Sequence, residues 1–182
     1  MDERTALARE VLKKLTKMGV DYVVLRNSEE LFDTLGHDID IGIKEQRSFE
    51  SGLAKIGEEL SFKVLKTQKR GRYSCYFIWQ FSSCCMLHID TWTGLDYRGI
   101  PMVSPDFFTE GFSVEEGISV ASPVLQIIGI LLKEICYCRK LEHKHIERVI
   151  RIYKTIGKER FLSEGELFIG RKITCIPSGI IE

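Results

Sequence analysis

Proline is scarce, with four in 182 residues, and no Pro-, Gly- or Ser-rich stretch marks a linker. Collagen-like and low-complexity architectures are excluded, and no internal repeat is apparent. No apolar run reaches the roughly 18 residues that a membrane span needs. The most apolar stretch, Val124 to Ile135, is interrupted by Gln126 and Lys133. The opening residues MDERTALARE lack the apolar segment of a signal peptide, which predicts a cytoplasmic protein with reduced thiols. No charge of one sign dominates: 26 Lys+Arg balance 26 Asp+Glu, for a formal net charge of zero. Neutralising phosphates takes surplus cations, so a long nucleic acid is not the expected partner. Zero net charge also leaves little repulsion between copies, which makes a homo-oligomer an open expectation. None of the six cysteines forms a Cys-x-x-Cys pair. A zinc site is therefore not expected, and buried or half-buried thiols are.

What is present is an ordinary globular composition, 44% hydrophobic and 29% charged. Leu7, Val11, Leu15 and Met18 recur at helical spacing, which predicts a helix over 3–18 that Gly19 ends. Asp21–Arg26 is a β-branched and aromatic run, hence a strand. Ser28 is placed to cap a short helix over 29–35. Asp38–Ile43 alternates cleanly between acid and isoleucine, a strand with one apolar face. Phe49, Leu53, Ile56 and Leu60 predict a helix over 45–59. Strands follow at 62–67, 73–81 and 85–92, the first two joined by a basic turn at 69–72. Residues 93–116 read as a long connection. A short strand at 117–121 precedes Ser122-Pro123, an N-cap and first-turn proline opening an apolar, buried helix. A second helix is expected over 142–155, with His143 and His145 solvated at its start. The order predicts an α+β domain with a mixed or antiparallel sheet, flanking helices and a C-terminal helical subdomain. The expected division is a core over 1–121 and a helical extension over 122–182 packed on it.

Chemistry concentrates in the acids. Asp38 and Asp40 are two apart on one strand, so both carboxylates lie on one face while Ile39, Ile41 and Ile43 lie on the other. Like charges so placed call for a cation between them. A hard, oxygen-preferring ion is the natural candidate, and Mg²⁺ typically takes one or two carboxylates plus substrate phosphates. Asp90 lies in a second alternating strand, with His88 on its face. If the strands pair, three carboxylates converge in the manner of a two-metal phosphoryl-transfer site.

The arrangement Leu25-Arg26-Asn27-Ser28, then Asp38-Ile39-Asp40, then His88-Ile89-Asp90 resembles the nucleotidyltransferase superfamily of DNA polymerase beta type. Within it, small prokaryotic nucleotidyltransferases look most similar. The resemblance covers roughly residues 18–140. It implies a nucleotidyltransferase-like core that moves a nucleoside monophosphate from an NTP, ATP among them, to a hydroxyl acceptor. It further implies Mg²⁺ or Mn²⁺ as cofactor, Asp38 and Asp40 as ligands of both metals, and Asp90 completing the second site and acting as, or orienting, the base for the acceptor hydroxyl. Asn27 and Ser28 would contact the phosphates; the family's turn is Gly-Ser or Gly-Gly.

Arg26 ends the first strand beside that turn, and Lys133 is an amine in an apolar helix; both are candidate nucleotide ligands. Trp92 and Tyr97 are candidate pocket aromatics, with Trp79 and Phe107 weighed beside them, and Asp96–Ile100 is a candidate acceptor loop. His37 and His88 are read as ordinary hydrogen-bonded side chains, though His88 is placed to approach a phosphate, and the basic turn is read as a solvated hairpin tip. The acceptor is expected to be a small molecule, a sugar-like group or a protein. Two competing readings keep the fold without this chemistry: a non-catalytic nucleotide-binding module, or a toxin-antitoxin component acting on a partner.

Overall fold

The computed structural model describes residues 2–26, 29–36, 38–97, 100–103, 105–106, 112–134, 138, 140 and 142–169. Contacts divide the chain into two compact units, Met1–Ala121 and Ser122–Glu182.

The first unit opens with helix α1 (Glu3–Lys17), capped by Asp2, whose carboxylate accepts from the Thr5 amide at 2.7 Å. Gly19 follows with φ +70°, a left-handed turn that glycine takes without Cβ strain. Strand β1 (Tyr22–Val24) leads to a single 3₁₀ turn over Glu29–Phe32, where a helix to residue 35 is expected. Tertiary bonds hold the segment instead: the Thr5 hydroxyl accepts from the Leu35 amide at 2.9 Å, and Arg4 donates to the Leu35 carbonyl at 2.7 Å. Strand β2 (Ile39–Ile43) and helix α2 (Gln46–Leu60) come next. Ser61, not a glycine, takes the left-handed cap of α2.

Strands β3 (Phe62–Arg70), β4 (Tyr73–Gln80) and β5 (Cys85–Trp92) form an antiparallel meander. Half of the basic segment, Lys69 and Arg70, is therefore strand, with the turn confined to Gly71 and Arg72. The expected long connection is also partly ordered. It contains the two-stranded ribbon β6 (Leu95–Tyr97) and β7 (Ile100–Val103), and strand β8 (Phe112–Glu115), which pairs with β9 (Ile118–Ala121). Strand β8 alternates Phe112, Ser113, Val114 and Glu115, but over only four residues, and all four are exposed at the sheet edge.

The main sheet has seven strands in the order β3-β4-β5-β2-β1-β9-β8. Strand β2 lies parallel to β5 and antiparallel to β1; β1 lies parallel to β9. The architecture is α+β with a mixed sheet. Ile39, Ile41 and Ile43 join Leu12, Leu15, Phe49, Leu53 and Ile56 in one buried cluster, so α1 and α2 cover the isoleucine face. The acids of β2 and β5 occupy the opposite face. Because β2 is central rather than an edge, all five of its residues are buried.

A polar network ties α2 to the sheet. Tyr76 donates to Glu50 at 2.7 Å, Gln46 donates to Ser74 and Tyr76, and Lys66 pairs with Glu50 at 2.7 Å. Burial pushes the Glu50 carboxyl up, but the charge and hydrogen bonds of Lys66, Tyr76 and Gln46 outweigh it and hold the group below its ordinary value of 4.5. A depressed carboxyl contributes stability that is full above the unfolded value and is lost as pH falls through the folded one. Urea denaturation of the wild type should therefore weaken between about pH 5 and pH 3 more steeply than that of Glu50→Gln. Parallel profiles would show that the network contributes no acid-side stability.

The second unit holds α3 (Pro123–Lys133) and α4 (His143–Ile169). Ser122 caps α3, accepting from the Leu125 amide at 3.2 Å, with Pro123 in the first turn. Helix α4 runs well past the expected end at 155, and Gly157 (φ 77°, ψ 164°) breaks it. Of the two histidines expected in solvent, His143 is exposed, but His145 is largely buried and lies 3.5 Å from the buried carboxylate of Glu134. No helix among the described residues is long and apolar enough to cross a membrane.

Candidate active site

The parallel register of β2 and β5 puts Asp40 directly opposite Asp90. Asp38 precedes β2 on the same face. One carboxylate oxygen from each of Asp38, Asp40 and Asp90 lies within 4.8 Å of the others. These are the three acids the sequence singles out, brought together by strands that are not consecutive in the chain. Asp40 is 2% exposed and Asp90 8% exposed, so neither charge is diluted by bulk water.

Each acid is oriented by neighbours. Asp40 Oδ2 accepts from Arg26 Nε, and Asp40 Oδ1 accepts from Trp92 Nε1 at 3.2 Å. Asp90 Oδ1 accepts from the Tyr73 hydroxyl at 2.6 Å and lies 2.8 Å from His88 Nε2. The imidazole tautomer with a proton on Nε2 suits that contact, since a bare nitrogen would face a carboxylate. Burial, and after it the hydrogen bond and charge of Asp90, push the Tyr73 hydroxyl far above the ordinary tyrosine range. Tyr73 is thus a fixed donor at working pH. Its ring lies 4.6 Å from that of Trp92, and the Phe77 ring stacks on His88 at 4.7 Å.

The other sequence candidates distribute unevenly. Arg26 reaches the site, but its bond is to Asp40. Trp92 is 5% exposed and acts as a donor to Asp40 rather than as an open stacking wall. Trp79 is 40% exposed on β4, two strand pairs from His88. Lys133 lies in the last turn of α3, in the second unit. Asn27, Ser28, His37 and Phe107, and the side chains of Asp96, Tyr97 and Ile100 with the whole of Arg98 and Gly99, lie outside the described residues.

Two site residues were not singled out by sequence: Tyr73 holds Asp90, and Cys75 Sγ lies 3.0 Å from the Nε2 of His88, the histidine expected on the face of Asp90. A signal for them exists: a hairpin closed at residues 81–84 pairs Cys75 with Asp90, Phe77 with His88 and Tyr73 with Trp92. Reading it requires the length of the turn, which hydrophobic alternation does not supply.

Three oxygens at this spacing, from hard anionic ligands on adjacent rigid strands, suit Mg²⁺ or Mn²⁺ in donor type and charge. The residues present therefore fit a divalent cation.

No protein-family model and no curated protein matches the chain. Among solved structures, a Helicobacter pylori protein described as a putative nucleotidyltransferase aligns over 95% of this chain and 86% of its own, at 11% identity and a TM-score of 0.48. JHP933 from Helicobacter pylori aligns over 85% of this chain and 68% of its own, at 13% identity and a TM-score of 0.52. The likeness to JHP933 is one of fold: the α+β arrangement that brings the three acids together is shared with a protein of very different sequence.

Proposed function

We propose that the protein is a nucleotidyltransferase, dependent on Mg²⁺ or Mn²⁺, that moves a nucleoside monophosphate from an NTP to a hydroxyl. The observation that carries this reading is the convergence of the Asp38, Asp40 and Asp90 carboxylates within 4.8 Å. Divalent cations bound to these three acids supply neutralisation of charge on the phosphate oxygens. Asp90 takes the proton of the acceptor hydroxyl as its oxygen attacks the α-phosphorus. The bond from α-phosphorus to the β-bridging oxygen breaks, and pyrophosphate leaves. His88, 2.8 Å from Asp90, and Tyr73, 2.6 Å from it, keep the carboxylate in one orientation throughout. Arg26 and Trp92 do the same for Asp40. The acceptor class that suits a chain of zero net charge is a small molecule, a sugar-like group or a protein side chain rather than a long nucleic acid.

Thermal denaturation with NTP and metal tests the reading. NTP should raise Tm only when Mg²⁺ or Mn²⁺ is present, since a ligand stabilises by its preference for the folded state, about 2.7 kcal/mol at one hundred times Kd. Replacing Asp38 and Asp40 together by Asn should abolish the metal-dependent increment. Equal NTP shifts in wild type and double mutant would refute the role given to these acids.

A second reading has an observation of its own. Arg26 already neutralises Asp40, as a cation would, which suits a nucleotide-binding module without turnover. Metal-dependent NTP binding with no pyrophosphate released would select it.

A further inference from the structure

On the same sheet face, one strand further out, Cys75, His88 and Asp90 bring together three ligand types. A thiol sulfur, an imidazole nitrogen and a carboxylate oxygen lie within 4.8 Å of one another. The β4–β5 register produces this: Cys75 is paired with Asp90, and His88 follows two residues before Asp90 on the same face. Cys75 Sγ is 3.0 Å from His88 Nε2, and His88 Nε2 is 2.8 Å from Asp90 Oδ1. Sulfur and oxygen thus point at one nitrogen.

We propose that Cys75, His88 and Asp90 form a second metal site, selective for Zn²⁺ and similar borderline-soft divalent cations, which shares Asp90 with the carboxylate cluster.

The chemistry of the donor set argues for it. Thiolate with imidazole selects zinc-like ions over Mg²⁺, which prefers oxygen alone. Tetrahedral zinc, with bonds of about 2.3 Å to sulfur and about 2.0 Å to nitrogen or oxygen, holds its ligand atoms roughly 3.3–3.6 Å apart. The sulfur–nitrogen and nitrogen–oxygen separations, 3.0 and 2.8 Å, are roughly half an ångström shorter, as suits atoms joined through a hydrogen. Small rotations of His88 and Cys75 therefore open the site without moving the strands. Binding releases one proton, from the Cys75 thiol, and leaves the imidazole proton on Nδ1.

The surroundings are those of a supported site. Cys75 is fully buried on a central strand, and the His88 side chain is 25% exposed, which leaves a route for the ion from solvent. Tyr73 donates to Asp90 Oδ1, and the Phe77 ring fixes the plane of His88. Such outer partners orient ligands and raise metal affinity. Three protein ligands leave the fourth position open, the pattern of exchangeable rather than purely structural zinc. Since Asp90 serves both clusters, an ion at Cys75 draws it away from Asp38 and Asp40. Zn²⁺ should then oppose the Mg²⁺-dependent stabilisation by NTP; this last consequence alone rests on the proposed function.

Titration of the full chain with Co²⁺, without nucleotide, tests the site directly. The expected result is a thiolate-to-cobalt charge-transfer band in the near ultraviolet. One equivalent of Zn²⁺ should remove it, and excess Mg²⁺ should leave it. Cys75→Ser should abolish the band, and His88→Gln should weaken Co²⁺ binding by more than the roughly 100-fold that loss of an outer partner costs. Asp38→Asn, which breaks the carboxylate cluster alone, should leave the band intact. Absence of a band, a band unchanged in Cys75→Ser, or its loss in Asp38→Asn would each overturn the proposal. None of these outcomes depends on NTP binding, so the test stands apart from that of the nucleotidyltransferase reading.

Discussion

Asp90→Asn should cut pyrophosphate release roughly 10³-fold, the scale on which positioned acid–base groups act. The amide keeps the size of the carboxylate, and its oxygen still accepts from Tyr73 and from His88. What it loses is charge and basicity. An amide cannot take the acceptor proton, and it is a poorer ligand for a hard cation. Folding should be little affected. Asp90 lies across from Asp40 in the sheet, both are largely buried, and removing one of two like charges offsets the weaker hydrogen bonds that remain. The change in unfolding free energy should stay within about 1 kcal/mol. Steady-state pyrophosphate assays beside urea denaturation decide the matter. Activity within tenfold of wild type, in a protein as stable as wild type, would remove Asp90 from the chemistry.

Arg26→Gln should cost about 3 kcal/mol of stability in the presence of a chelator, the scale for removing one partner of a buried ion pair. Arg26 donates to Asp40 Oδ2, and the two side chains are 14% and 2% exposed. Without the guanidinium, the Asp40 charge loses its ion pair and keeps the Trp92 N–H. Divalent metal should restore the lost stability. Arg26 acts on Asp40 as the cation would in its absence, so Mg²⁺ should stabilise Arg26→Gln more than it stabilises the wild type. Chemical denaturation with chelator and with Mg²⁺, in both proteins, gives the four numbers needed. Equal Mg²⁺ increments would mean that arginine and metal do not share the carboxylate, and would favour the binding module over the enzyme.

The local elements follow from patterns that the chain states openly. The spacing of Leu7, Val11 and Leu15 is enough for α1, and Gly19 is enough for its end. The alternation of Asp38 to Ile43 is enough to say that isoleucines go to a core and acids to the other face. Periodicity can do this because it depends only on the geometry of one strand or helix. It cannot name the partner. That β2 lies beside β5, in the register that sets Asp40 against Asp90, joins residues 50 apart in sequence. Parallel pairing of that kind needs a crossover connection, here α2 with the β3–β4 hairpin, and no pattern within either strand announces where that connection returns. The same holds for strand β8, whose four alternating residues are too short a signal until they pair with β9, and for the 3₁₀ turn, where Thr5 and Arg4 of a distant helix override a local helical preference. The candidate site divides along this line. Its acids are marked in the sequence because charge at alternate positions of an apolar strand is costly without a purpose. Tyr73 and Cys75 become part of it only when strands meet, because each is unremarkable until a buried carboxylate, or for Cys75 the histidine that reaches one, stands beside it; Arg26 and His88 are marked in the sequence near the acids, but which acid each one holds is decided by the same pairing.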